Sequence, residues 1–414
     1  MSKNRRVVIT GLGIVSSLGN TFSEVRQKLS CGESGVEKVQ SWADLGLDTT
    51  IAGTIKNIDE KKNTSGISNK LLSYGSECAL YCTLAANDAI KQSGLKADEL
   101  SNISTGCIVG TGISSLLPIY ETGNKLYQGK AKRIIPYTVC QTMASSPSAL
   151  IANIFSIQGR SYSISSACAT STHNIGHAYE LIKHGLLDTA IAGGGEEINE
   201  IGAAGFCAMR LAVSTHYNDT PNIASRPYDL NRDGFVISGG GGILVLEELS
   251  KAKSRGAHIF AEIISFAANS DTTNMILPEA NGHAITQCML DAINKANITP
   301  GDIDYINTHG TSTIEGDLAE VNAIRKIFST PPPFSSTKSM TGHALAASGV
   351  CELIYSIAML EDKFIAPSIN IENIDPKFAG LPIVTKTVFK PIDVIMKNSF
   401  GFGGTNAVIL LKSY

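Results

Sequence analysis

The sequence predicts an α/β fold, and three observations carry that reading. Short apolar runs ending in glycine or a small polar residue recur along the 414 residues. Stretches with apolar residues at helical spacing lie between many of them, and no proline- or serine-rich linker divides the chain. The runs are 7–10, 107–111, 161–165, 189–192, 243–246, 304–307, 334–337 and 407–411. Ile175, Ala178 and Ile182 follow the third run, and Leu318, Val321, Ile324 and Phe328 follow the sixth. Alternating strand and helix argues for buried, largely parallel strands whose C-terminal loops are the natural place for chemistry. The blocks around Cys168 and His309 share one order of strand, small-residue loop and helix, which suggests a duplication with its midpoint near 255.

At the N-terminus, Lys3, Arg5 and Arg6 precede VVITGLGIVSSLG, which could imitate the basic and apolar parts of a signal peptide. Only 7–9 is continuously apolar, so the segment reads as a buried strand entering a glycine turn. No stretch reaches the roughly 18 apolar residues of a membrane span, and a cytoplasmic protein with no membrane partner is expected. Nine cysteines, odd in number and without a CxxC pair, fit a reducing compartment. A formal charge of −3 and 17% charged residues exclude a disordered or nucleic-acid-coating chain. So lean a charge content suggests a second buried surface, against another subunit.

Several motifs are weaker than they look. Gly11-x-Gly13 and Gly110-x-Gly112 follow strands, but Ser16 and Ser115 occupy the third position of a dinucleotide fingerprint. Asp229-x-Asn231-x-Asp233-Gly234 copies half of a calcium loop and fails at Gly240, where a bidentate Glu is needed. His173 and His177 share a helix face without the Glu of a zinc protease, and read as surface histidines. Cys78 and Cys82, on an Ala/Leu-rich helix, read as packing, so no metal site is expected.

Ser161-Tyr-Ser-Ile-Ser-Ser-Ala-Cys168-Ala-Thr-Ser carries the most information. A thiol at a helix N-terminus, among small neighbours, feels the positive end of the macrodipole; that is worth on the order of one pKa unit toward thiolate. His309, in NTHGTST, and His343, in STKSMTGH, each sit in a loop just past a strand. Asn398-Ser-Phe-Gly-Phe402-Gly-Gly-Thr-Asn406 reads as a glycine-rich turn before the last strand, able to aim backbone N–H groups into a site. One nucleophilic Cys with two histidines suits a reaction needing two neutral donors toward one oxygen, such as decarboxylation of a malonyl thioester. A cysteine protease is the rival. It would need an ordering Asn or Asp, leaves the second histidine idle and lacks a CGSCW-like context, the only Trp being Trp42.

These segments, with AGGGEE, YNDTP, ASRPYDLNRDGFVISGGGG and FIAPSINIE in order, resemble the β-ketoacyl-acyl-carrier-protein synthases of fatty acid synthesis over nearly the whole chain, and most of all their type I members. The resemblance implies a thiolase-like fold, two similar halves (1–255 with the cysteine, 256–414 with the histidines) in a five-layered α/β/α/β/α body, working as a homodimer. It implies that Cys168 accepts an acyl chain from the carrier protein, and that His309 and His343 steady the enolate formed as malonyl-carrier protein loses CO2. Lys338 matches the lysine of the family motif and Glu320 its acidic partner. The N–H groups of Cys168 and Phe402 match the oxyanion hole, the Phe402 ring a gate, and Thr311 and Thr313 the pantetheine-binding hydroxyls. No cofactor is permanently bound; phosphopantetheine arrives on the acyl carrier protein, and a monovalent cation is compatible with the fold. Ile113 looks like the pocket neck of type II members, which leaves chain length open. Lys70, Lys132 and Arg133 are candidates for docking the carrier protein, although Ser73 replaces an arginine typical of type I. A polyketide ketosynthase and a non-catalytic chain-length partner subunit stand as alternatives; the latter would lack the nucleophilic cysteine.

Overall fold

The computed structural model describes residues 5–210 and 212–414, so Lys3 lies outside the described residues. A ten-stranded sheet runs in the order Phe334–Ser335, Tyr305–Asn307, Val394–Gly401, Thr405–Lys412, Ala261–Ser270, Val7–Val15, Gly240–Glu248, Thr189–Glu196, Thr105–Gly110 and Ser161–Tyr162. From the central pair outward, each arm takes its five strands in the same order: first, fifth, fourth, second, third. The expectation of a largely parallel sheet is corrected, because the inner strands pair antiparallel and only the outer strands of each arm are parallel. Sequence patterning misses Ala261–Ser270 altogether, and Val394–Gly401 runs on to within one residue of Phe402, so the glycine-rich turn is confined to 402–404.

Helices give the layers. Glu77–Ser93 and Ser146–Phe155 cover the outer face of the N-terminal arm, His283–Ala296 and Ile314–Ile327 that of the C-terminal arm. Thr170–Lys183 and Ser348–Asp362 lie between, touching strands of both arms. This is the five-layered α/β/α/β/α arrangement, with its two β layers joined edge to edge where Val7–Ile9 pairs with Ala261–Ile263. Side chains on each strand divide between layers with a period of two. Ala407, Ile409 and Leu411 face the central helices, while Val408 and Leu410 face outward; Leu244 and Leu246 oppose Ile243 and Val245 in the same way. With both faces covered, consecutive positions at 243–246 and 407–411 are all apolar, which is why these runs look continuous in sequence.

Gly11 and Gly13 form no turn; the strand enters one only at Ser16–Gly19. They lie inside the strand Val7–Val15, where a Cβ on Gly11 or Gly13 would stand 2.1 or 2.0 Å from the carbonyl oxygens of Ala89 or Ala85. Helix Glu77–Ser93, capped by the Ser76 hydroxyl and by Gly94 at φ 70°, can therefore lie directly on the strand. The calcium-like loop is also structural: the Asp229 carboxylate accepts N–H bonds from Asn231, Glu372 and Asn373, and Asp233 accepts them from Thr215 and His216. His173 and His177 are half-buried rather than on the surface, bonded to Ser166 and Tyr162 at 2.8 Å each. Cys78 and Cys82 are packed in the core, as expected. Among the described residues no helix is long and apolar enough to cross a membrane.

Candidate active site

After strand Ser161–Tyr162 the chain enters a single 3-10 turn, Ala167–Ala169, before helix Thr170–Lys183. Ala167 is held at φ 49°, a left-handed conformation costly for a non-glycine residue and maintained here by the surrounding packing. Cys168 sits at the turn, 8% exposed, in the wall of a cavity of about 510 Å³. The backbone N–H groups of Phe402 and of Cys168 itself point at Sγ. Gly401 makes that convergence possible, since a Cβ there would press to 3.1 Å from the Cys168 nitrogen. The expectation of an acidified thiol is corrected. Burial pushes Cys168 up to about 11, outweighing the lowering by the Lys338 charge and the two N–H groups.

His309 and His343 reach the same cavity from the loops after Tyr305–Asn307 and the short helix Lys338–Thr341. Their ring centroids are 5.2 Å apart and their planes nearly perpendicular, at 85°. Phe235 packs edge-on against His343 and Phe400 against His309. Burial first, then the Lys338 charge, holds both imidazoles well below their ordinary pKa, so both are neutral. His343 Nδ1 lies 2.8 Å from the Ser348 hydroxyl; with Ser348 donating, the proton is left on Nε2.

The reading of Glu320 as the lysine's acidic partner is corrected. Its carboxylate accepts from the backbone N–H of His309 and Gly310, both at 2.9 Å, and from the Asn398 amide, so it fixes the histidine loop. Lys338 pairs instead with Glu352, whose other oxygen lies 3.0 Å from Lys397. Sequence reasoning missed both of these residues. The available signal was a lone charge in each of two apolar segments, SGVCELIYSIAML and VIMKNSF, since charges inside apolar elements are buried only when paired.

Thr311 and Thr313 line the cavity with their hydroxyls 2.9 Å apart, and Phe402 and Ile113 also line it. The backbone of Gly112 and Ile113 is held by the buried Glu196 carboxylate, which also accepts from Thr111; burial pushes Glu196 up to about 7. The sequence offered Glu196 only as part of AGGGEE. Lys70, Lys132 and Arg133 are exposed and none lines the cavity. Among the described residues no group of three or more His, Cys, Asp or Glu side chains is placed to hold a metal ion.

Residues 4–252 match the model of the beta-ketoacyl synthase N-terminal domain, and residues 260–372 that of the C-terminal domain. The chain is 47% identical over 419 residues to 3-oxoacyl-[acyl-carrier-protein] synthase 1 of Haemophilus influenzae, covering 99% of each protein. It superposes on the crystal structure of a beta-ketoacyl synthase from Burkholderia phymatum with a TM-score of 0.93 at 33% identity, covering 99% of this chain and 100% of that one. A ketosynthase solved in complex with its type II polyketide acyl-carrier protein matches with a TM-score of 0.90 at 30% identity, covering 100% of both chains.

Proposed function

The chain belongs to the β-ketoacyl synthase family and is an acyltransferase that lengthens fatty acyl chains, and we propose how its own residues divide that work. The thiol of Cys168 attacks the thioester carbonyl of an acyl-carrier protein. The carbonyl oxygen lies between the N–H groups of Cys168 and Phe402, the thiol proton passes to the departing pantetheine sulfur, and the acyl chain stays on Cys168. Malonyl-carrier protein then enters. Its bond to the carboxyl carbon breaks, CO2 leaves, and the electron pair becomes an enolate whose oxygen receives N–H groups from His309 and His343. The enolate carbon attacks the acyl carbonyl and the Cys168 thiolate departs, giving a 3-oxoacyl chain two carbons longer. The observation that carries this reading is the pair of neutral imidazoles opening on the same cavity as Cys168. No general base is needed, because decarboxylation removes no carbon-bound proton.

In this reading Lys338 and Glu320 are positioning residues, Thr311 and Thr313 bind the pantetheine arm, the Phe402 ring gates the cysteine and Ile113 borders the acyl pocket. Lys70, Lys132 and Arg133 face the acidic carrier protein. The two halves, 1–255 and 256–414, each contribute one arm of the sheet, an assignment supported by their identical strand order. The phosphopantetheine comes and goes with its carrier, and we assign no step to a monovalent cation. A cytoplasmic location is supported by nine free cysteines, and recovery from another cell fraction would contradict it. The experiment for the activity is reconstitution with acyl- and malonyl-carrier proteins. A 3-oxoacyl-carrier protein product is expected, and its absence overturns the reading.

The working form in this proposal is a homodimer. Helix Leu116–Tyr127 buries none of its residues, yet Leu117, Ile119, Tyr120, Leu126 and Tyr127 are between 36% and 91% exposed, with Ile135 and Val139 also bare. An apolar face this large marks an interface. Light scattering is expected to give twice the chain mass, and Tyr120→Lys combined with Ile119→Glu to shift it to one. A monomeric wild type would refute the dimer.

A further inference from the structure

Lys338, Glu352 and Lys397 come from the short helix Lys338–Thr341, the central helix Ser348–Asp362 and strand Val394–Gly401. None is more than 2% exposed. One carboxylate serves two ammonium groups: Lys338 hydrogen-bonds Oε1, and Lys397 stands 3.0 Å from Oε2 at an angle that makes an ion pair without a hydrogen bond. The Lys397 protons go to the Thr172 hydroxyl, at 3.3 Å, and the Ser399 hydroxyl. Glu320, the next nearby carboxylate, is already taken by the two N–H groups and an amide. Formally the trio carries one positive charge too many, and removing an unbalanced charge from water is costly. Lys338 alone would balance Glu352, so the second lysine needs another reason.

We propose that Lys397 is a positioning residue of the condensing step: by sharing Glu352 with Lys338 it leaves an uncompensated positive charge beside His309 and His343, and that charge favours the enolate as malonate loses CO2. The proposal rests on the two-histidine reading above. A preorganised charge in a dry site acts strongly on charge that develops there. The field of Lys397 reaches both imidazoles and helps keep them neutral, hence able to donate without becoming cationic. The charged and titratable groups facing Lys397 are Glu352 and Cys351 on the central helix, Lys338, Glu320, and the two histidines, with Tyr305 beyond Glu352. Burial, together with the Lys338 charge and against the pull of Glu352, brings Lys397 down to about 8. The ammonium is present below that value and lost above it.

The test is the uncoupled decarboxylation of malonyl-carrier protein, in which the enolate takes a proton from water and yields the acetyl form. Its rate is measured with no acyl donor present and divided by the same protein's rate at about pH 7, because acylation would bring in the Cys168 thiol's own pH dependence. For wild type this ratio is expected to fall about tenfold from about pH 7 to about pH 9, following loss of the ammonium. Lys397→Met is expected to be about tenfold slower at neutral pH, and flat across the range, while still acylating. Lys397→Gln serves as a second neutral variant should the first fail to fold. A wild-type ratio that does not fall overturns the proposal, as does a folded neutral variant with wild-type decarboxylation. His343→Ala run alongside separates the two ideas: if it decarboxylates normally the two-histidine reading has failed, and if it is inactive while Lys397→Met matches wild type, only the role of Lys397 has.

Discussion

Cys168→Ala is expected to gain no acyl mass on incubation with acyl-carrier protein, and to lose condensation by on the order of 10⁴-fold or more. No other thiol can take its place. Six of the remaining eight are buried, and Cys31 and Cys140 are exposed on other segments of the chain. Among the described residues, Cys168 is the one cysteine that lines the cavity shared by His309 and His343. Malonyl decarboxylation is expected to survive the substitution, because both histidines are held by groups that do not involve the thiol: Ser348 for His343, Glu320 for the His309 loop. Intact-protein mass spectrometry decides the first point, and an acyl adduct that persists in Cys168→Ala would sink the mechanism.

The same thiol gives a pH dependence with a definite sign. A cysteine is an acid, and burial raises Cys168 to about 11 in the free protein. The thiolate fraction, and with it the rate of alkylation by iodoacetamide, should therefore climb about tenfold per pH unit from about pH 7 to about pH 9 without a plateau. A plateau near neutrality would mean that the macrodipole of helix Thr170–Lys183 outweighs desolvation.

That point also shows where a sequence stops being informative. Cys168, both histidines and the turn at 402–404 sit at strand or helix ends in small-residue segments, and such segments are visible one at a time. Whether Cys168 is dry depends on what the second half of the chain lays over it, and a local window holds no such information. Glu352 and Lys397 are 45 residues apart in the numbering and meet only because the central helix crosses the last strands. Each looks like an isolated charge until the partner is known. Strand Ala261–Ser270 was missed for a related reason. Its residues AEIISFAANS mix polar and apolar types, since its C-terminal end leaves the core, and periodicity fades there. Gly11 and Gly13 lie in the strand, before the turn closed by Gly19; glycine marks both tight turns and close backbone packing, and only the position of helix Glu77–Ser93 distinguishes them.

His343→Ala divides the reaction at its midpoint. The acyl mass is expected to appear on Cys168 at close to the wild-type rate, since the sulfur's donors are the main-chain N–H groups of Cys168 and Phe402. Malonyl decarboxylation, and condensation with it, is expected to drop by about 10²- to 10³-fold, the usual cost of one donor to a developing oxyanion. The loss should reflect a missing donor rather than a collapsed site. The His343 main-chain N–H still bonds the Val236 carbonyl at 2.7 Å, so its loop stays attached to the neighbouring segment. Because burial and the Lys338 charge keep the wild-type imidazole neutral, the wild-type rate should also show no titration near the ordinary histidine value of about 6.5. An imidazolium acting as an acid would give such a titration, with activity lost as pH rises through it. Stopped-flow release of CO2 from wild type and variant measures both. Condensation that continues unimpaired in His343→Ala would leave His309 as the sole donor, and the two-histidine account would then be wrong.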